Sequence, residues 1–130
     1  MIHLTVVTPA RKIVDQQVDE AQLPGAEGAF GVLPGHAPML SALKVGEILY
    51  RHGSDTHRIA VAWGFAEVLP DRVRVLADVA ERAEDIDIDR ARRAKDRAEQ
   101  RLKGGGDVDW DRARASLDKA LVRVRIAEQR

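Results

Sequence analysis

Cysteine is absent from the 130 residues of this chain, and aromatic residues make up just 4% of it. Without cysteine there is no disulfide framework, no thiolate metal site and no cysteine nucleophile, which fits a reducing compartment. Net charge is also lacking: 21 Lys and Arg balance 21 Asp and Glu. A dedicated nucleic-acid binder carries a basic excess, so this balance argues against one. No run of about 18 apolar residues occurs, so no membrane-spanning helix is expected. Met1-Ile2-His3-Leu4-Thr5 has neither the basic start nor the apolar core of a signal peptide. Serine is scarce (Ser41, Ser54, Ser116), and none stands in a glycine elbow. His3, His36, His52 and His57 show no metal-ligand spacing, so no metal is expected. Glu84, Asp85, Asp87 and Asp89 read as the solvated start of a helix rather than as paired catalytic carboxylates. An enzyme is therefore not expected. What remains is 45% apolar residues, too many for a disordered chain and enough for one domain with an appendage.

The zero balance conceals a division. Residues 1–85 hold eight basic and twelve acidic residues, a net −4, and residues 86–130 hold thirteen and nine, a net +4. All five prolines lie at or before Pro70, and eleven of fourteen valines precede residue 80. These shifts place a boundary near Asp85. Residues 1–85 read as short strands. Ile2, Leu4 and Val6 alternate with His3, Thr5 and Val7, and further candidates lie at Ile13-Val14 and Val18 to Leu23. Ile48 and Tyr50, then Ile59, Val61 and Trp63, then Val73, Val75 and Ala77 repeat the alternation, with turns at Gly53-Ser54-Asp55 and Pro70-Asp71. Short strands with frequent turns predict an all-β sandwich or barrel.

Residues 86–130 read as two helices. Asp87 or Asp89 caps the first, with Ala91, Ala94, Ala98 and Leu102 as its apolar stripe. Gly104, Gly105 and Gly106 break the pattern and supply a hinge. Asp107 or Asp109 caps the second helix, whose stripe is Trp110, Ala113, Leu117, Ala120, Leu121, Val124 and Ala127. The short connection predicts an antiparallel hairpin. With small residues at its interface and helices of about 15 residues, it is marginal alone and needs the sandwich, a ligand or a partner. The fold class expected is therefore α+β in two parts, a sandwich over 1–85 and a helical hairpin over 86–130.

Two features suggest binding. The glycines of Leu23-Pro24-Gly25-Ala26-Glu27-Gly28-Ala29-Phe30-Gly31 hint at a phosphate turn, but no Lys-Ser/Thr pair or helix follows. Tight loops between strands are the plainer reading. On the first helix Arg93, Arg97 and Arg101 share a face at spacings of four, and Lys119 and Arg123 do so on the second. In an antiparallel hairpin Lys119 and Arg123 converge on Arg90 and Arg97. Convergent guanidiniums suit a polyphosphate. A salt-bridged face with the interleaved Asp96 and Glu99 is the alternative. A stand-alone basic hairpin that grips nucleic acid is a further reading, opposed by the acidic first part, the few aromatics and the interleaved acids.

Three segments carry a resemblance over nearly the whole length: Pro24-Gly25 with Glu27 to Pro38, then Gly64-Phe65-Ala66-Glu67-Val68, then Val75-Leu76-Ala77-Asp78. In these the chain resembles the epsilon subunit of bacterial F-type ATP synthases. The resemblance implies a sandwich of about ten strands, docked to the gamma subunit and to the polar loops of the c-ring as part of the rotor. It implies a hairpin that folds on the sandwich or extends toward the alpha and beta subunits, and that blocks ATP hydrolysis when extended. Such a subunit has no active site, requires no cofactor and sits peripherally on the cytoplasmic face of the bacterial inner membrane. Ring-facing loops would include Glu27, Gly28, Ala29, Phe30 and His36. The family's ATP motif matches Ile86-Asp87-Ile88-Asp89-Arg90-Ala91. Carried over by position, Glu81, Ile86 and Asp87 would line the adenine and ribose. Arg90, Arg97 and Arg123 would hold phosphates of a regulatory ATP, and Ala91 would leave room. Lys119 stands where some nucleotide-binding relatives have arginine and lacks the bidentate fork. Trp63, directly before Gly64, stands where the family usually has a small residue.

Overall fold

The computed structural model describes residues 1–104, 106 and 109–129. The alternation in the sequence becomes strand β1 (Ile2–Val7), with Ile2, Leu4 and Val6 fully buried. Seven more strands follow: β2 (Lys12–Val18), β3 (Glu20–Gly25), β4 (Gly28–Val32), β5 (Met39–Leu43), β6 (Gly46–His52), β7 (Asp55–Leu69) and β8 (Arg72–Arg82). A single 3-10 turn, Ala83–Asp85, leads into helices α1 (Ile88–Lys103) and α2 (Trp110–Glu128).

The strands form a sandwich whose two layers share β7 and β8. On one side β2 pairs with β1, β1 runs parallel to the first half of β8, and the second half of β7 joins β5. On the other, β4, β3 and β6 lead to the first half of β7, which pairs with the second half of β8. There are eight strands rather than about ten, because β7 and β8, 15 and 11 residues long, pass between layers without a break. Pairing lapses where they turn: Ala62 faces Val79 and Gly64 faces Ala77, with no ladder pair at Trp63. Trp63 has φ 52° and Gly64 φ 153°, both in the region that L side chains rarely adopt. A Cβ on Gly64 would lie 2.1 Å from the carbonyl oxygen of Leu76, so glycine is required there. The glycine-rich segment is also not all loop, since Gly28–Val32 is a strand against β3.

One core fills the sandwich, drawn from Ile2 to Ala80. A second, smaller cluster joins the hairpin to the outer face of β7 through Ala60, Ala83, Ile86, Ala91, Val124, Ile126 and Ala127. The hairpin is thus folded down on the sandwich. Asp87 caps α1 by accepting from the Arg90 amide at 3.1 Å, and Asp109 caps α2 from the Arg112 amide at 3.1 Å. Ala91 and Ala98 of α1 are buried, as are Ala113, Ala120, Val124 and Ala127 of α2. Two expected stripe members are instead exposed, Trp110 and Leu121. The reason is that α2 also turns a second face to the sandwich, at Val122 and Ile126. Ile86 and Ile126 are the largest fully or nearly fully buried side chains of this junction. At about 1.5–3 kcal/mol each, their burial helps hold the hairpin on the sandwich.

Candidate functional site

Arg97 and Arg101 lie seven and eleven residues after Arg90 on α1, which at 100° per residue puts all three on one face. Arg93 is rotated off that face and does not line the site, contrary to the spacing-of-four expectation. Small residues, Ala94 and Ala98, separate the arginines and leave space beneath them. Ser116, Lys119 and Arg123 of α2 form the opposite wall, and Val79 and Glu81 of β8 the floor. The result is an open cleft of about 450 Å³ between hairpin and sandwich.

Its charges are unevenly paired. Arg123 grips Glu81 through two contacts, Nε to Oε1 at 2.6 Å and Nη2 to Oε2 at 3.3 Å. Among the described residues Arg90, Arg97, Arg101 and Lys119 have no carboxylate partner. Lys119 holds its Nζ over the Trp63 ring, 5.5 Å from the centroid. The hairpin's ion pairs lie elsewhere: Arg92 with Asp89 and Glu128, Lys95 with Glu99, Arg114 with Asp118, and Arg125 with Glu47 of β6. None of these paired residues lines the cleft, and among the described residues Asp96 forms no ion pair. Uncompensated cations held close together raise the local potential and favour a multivalent anion.

Five of the residues carried over by position meet here: Glu81, Arg90, Arg97, Lys119 and Arg123. Three do not line the cleft. Ile86 and Ala91 are buried in the cluster under the hairpin, and the Asp87 carboxylate is engaged in capping α1. Arg101 and Ser116 extend the cleft beyond that set; the four-residue step from Arg97 to Arg101 was the available signal. Of the hinge glycines, Gly104 ends α1 by donating to the Gln100 carbonyl and Gly106 has φ 81°, while Gly105 lies outside the described residues.

The far end of the sandwich carries the other candidate surfaces. Glu27, Gly28 and Ala29 are exposed around the β3–β4 turn, Phe30 packs half-buried against the core, and His36 places Nδ1 2.7 Å from the Ala37 carbonyl. Beside them runs an apolar face. Phe65 and Leu76 are cross-strand neighbours and more than half exposed, and Leu40 is 72% exposed. With Val7, Pro9 and Trp63, Phe65 and Leu76 edge a hollow of about 590 Å³. An exposed apolar patch of this kind marks a surface that another protein covers.

Two family models together match residues 1–128. Residues 1–83 match the ATP synthase delta/epsilon chain beta-sandwich domain, and residues 84–128 match the delta/epsilon chain long alpha-helix domain. The chain belongs to the ATP synthase delta/epsilon family. It is 58% identical over 101 residues to an ATP synthase epsilon chain of Nitratidesulfovibrio vulgaris (strain DP4), covering 78% of this chain and 75% of that one. The epsilon chain of Syntrophobacter fumaroxidans is 48% identical over 129 residues, 98% of this chain and 96% of that one. The resemblance read from the Glu27–Pro38 segment holds: this is an F-type epsilon chain. Among solved structures, a chain of the Euglena gracilis mitochondrial ATP synthase (OSCP/F1/c-ring, rotational state 1) superposes with TM-score 0.77 at 23% identity, covering 99% of this chain and 81% of that chain. A chain from the Tetrahymena thermophila mitochondrial ATP synthase central stalk and c-ring gives 0.60 at 15%, covering 98% and 94%. At those identities the likeness is one of fold. No helix among the described residues of this epsilon chain is long and apolar enough to cross a membrane.

Proposed function

We propose that this epsilon chain is a non-catalytic stalk subunit of a proton-translocating F-type ATP synthase that couples gamma to the c-ring and restrains ATP hydrolysis through its hairpin. In this reading the cleft takes the polyphosphate of ATP, and the bound nucleotide keeps the hairpin folded. The observation that carries it is the cluster of Arg90, Arg97, Arg101 and Lys119, without a carboxylate partner among the described residues, around the Arg123–Glu81 pair. A ligand that bridges α1, α2 and β8 binds the folded arrangement alone and stabilises it by mass action. When the hairpin opens, the same cations become free to meet acidic segments of the alpha and beta subunits. The apolar face around Phe65 and Leu76 suits gamma, and the exposed turn at Glu27–Ala29 suits the polar loops of the ring. Protein contacts alone would then hold the chain at the cytoplasmic face of the membrane.

Reconstitution with gamma and the catalytic subunits tests the proposal. A fragment ending at Asp85 should still bind gamma and should raise ATP hydrolysis. Equal hydrolysis with fragment and full chain would remove the restraint from the reading. Chemical-shift titration of the full chain with millimolar ATP should move α1 and α2 resonances, and Arg97→Ala should abolish the change. Unmoved resonances in the wild-type chain would remove the nucleotide.

A further inference from the structure

Trp63 is the one non-glycine residue with positive φ among the described residues. A bulky side chain in the left-handed region is a costly choice, and it persists where the surroundings fix it. Gly64 beside it cannot be replaced without meeting the Leu76 carbonyl, so the strand must turn here. The turn brings the indole, still 41% exposed, against the second face of α2, where Lys119 sits over the ring. Lys119 also forms part of the cleft wall. A free lysine head is spread over many rotamers, and fixing it before a ligand arrives removes that cost from binding.

We infer that Trp63 is a positioning residue for the anion cleft: its ring holds the Lys119 ammonium at the wall, where an arginine would need no such support. The inference rests on the polyphosphate reading of the cleft. The cation–π contact is not required by the sandwich itself, since a glycine would make the same left-handed turn with less strain. Trp63 also edges the apolar hollow beside Phe65 and Leu76. A partner seated in that hollow would dry the ring and strengthen its hold on Lys119, which links the two surfaces thermodynamically.

Calorimetric titration of the full chain with ATP and with inorganic tripolyphosphate tests this. Trp63→Leu should weaken both by about two- to fivefold, the worth of one half-exposed cation–π contact. Trp63→Phe should retain part of the affinity. Trp63→Gly removes the ring while relaxing the backbone, so it should match Trp63→Leu without loss of folding. In a Lys119→Met background none of the three should change affinity further. Unchanged affinity in Trp63→Leu and Trp63→Gly, or an equal loss with and without Lys119, would overturn the role and leave the cleft standing. A wild-type chain that binds neither ligand would overturn the cleft reading and this role with it.

Discussion

Arg123→Met offers a direct test of what keeps the hairpin down. The substitution keeps the apolar stem and removes the guanidinium that meets Glu81 at 2.6 and 3.3 Å. The two side chains are 21% and 26% exposed, so the pair is neither a solvated surface bridge nor a buried one. Surface pairs contribute up to about 1 kcal/mol, and breaking a buried pair costs about 3–5 kcal/mol. An intermediate cost of roughly 1–3 kcal/mol is reasonable, because Glu81 is left in a half-desolvated position without its partner. At about 1.4 kcal/mol per factor of ten, the hairpin should open roughly 5- to 150-fold more often. Hydrogen exchange of the nucleotide-free chain measures this. Amides of α2 around Val122–Ala127 should exchange faster by that factor, while those of β1 and β8 in the sandwich core should not move. Glu81→Gln should give a similar change, and the double variant little more, since both remove one interaction. Unchanged α2 exchange in Arg123→Met would refute the latch. Equal acceleration in β1 and β8 would refute the idea that the hairpin opens as a unit of its own.

A fragment of residues 1–85 should fold and melt cooperatively, because the sandwich core ends at Ala80; an unfolded fragment by circular dichroism would show that the hairpin is needed for folding. Gly64→Ala should lower stability in urea by at least about 2 kcal/mol, since a Cβ would meet the Leu76 carbonyl at 2.1 Å and φ is 153°; an unshifted midpoint would refute that geometry. Burial raises the Tyr50 phenol above its ordinary value of 10.0. The folded chain then holds that proton more tightly than the unfolded chain, so this contribution to stability is complete below pH 10 and is lost as pH climbs toward the raised value. Tyr50 is the single tyrosine, so ultraviolet titration should show phenolate appearing later in native buffer than in denaturant. Phe65→Asp should abolish gamma binding while leaving the melting temperature within a few degrees, because the ring is 56% exposed and contributes little to the core.

Much of the fold was legible because its signals are local. Alternation marked β1, β6 and β8, and the capping aspartates and alanine stripes marked both helices. What was not legible depends on long-range geometry. The parallel pairing of β1 with β8 joins residues about 70 apart, and no pattern in either strand announces it. The count of about ten strands came from the resemblance and not from the alternation; Asp55–Leu69 is one long strand, bent at Trp63-Gly64 and shared by two layers. On α2 a single stripe was expected, whereas Ile126 buries and Val122 partly buries against the sandwich, and Trp110 and Leu121 stay 53% and 42% exposed. A helix touched on two sides has no unique apolar stripe, so its periodicity cannot assign partners.

The cleft was half legible, and the charge division explains which half. Helical spacing alone could place Arg90, Arg97, Lys119 and Arg123 near one another, but it could not say which of them the sandwich would neutralise. The structure divides them. Arg123 and Arg125 reach Glu81 and Glu47 on the sandwich, and the remaining cations of the cleft are left over. Part of the −4 and +4 imbalance is therefore consumed in docking, and the rest stays available to an anion. This has a consequence for salt. Raising ionic strength weakens the Arg125–Glu47 contact at 3.8 Å, which is largely exposed on the arginine side, more than the closer Arg123–Glu81 pair. It also weakens a polyphosphate in the cleft and an acidic partner outside it. On the proposed function, salt would loosen the folded hairpin and the contacts that compete with it together, so ATP hydrolysis measured against ionic strength cannot separate them. Arg97→Ala can, because Arg97 faces the cleft and contacts no carboxylate of the sandwich: it should leave nucleotide-free hairpin exchange unchanged while removing the protection that ATP adds.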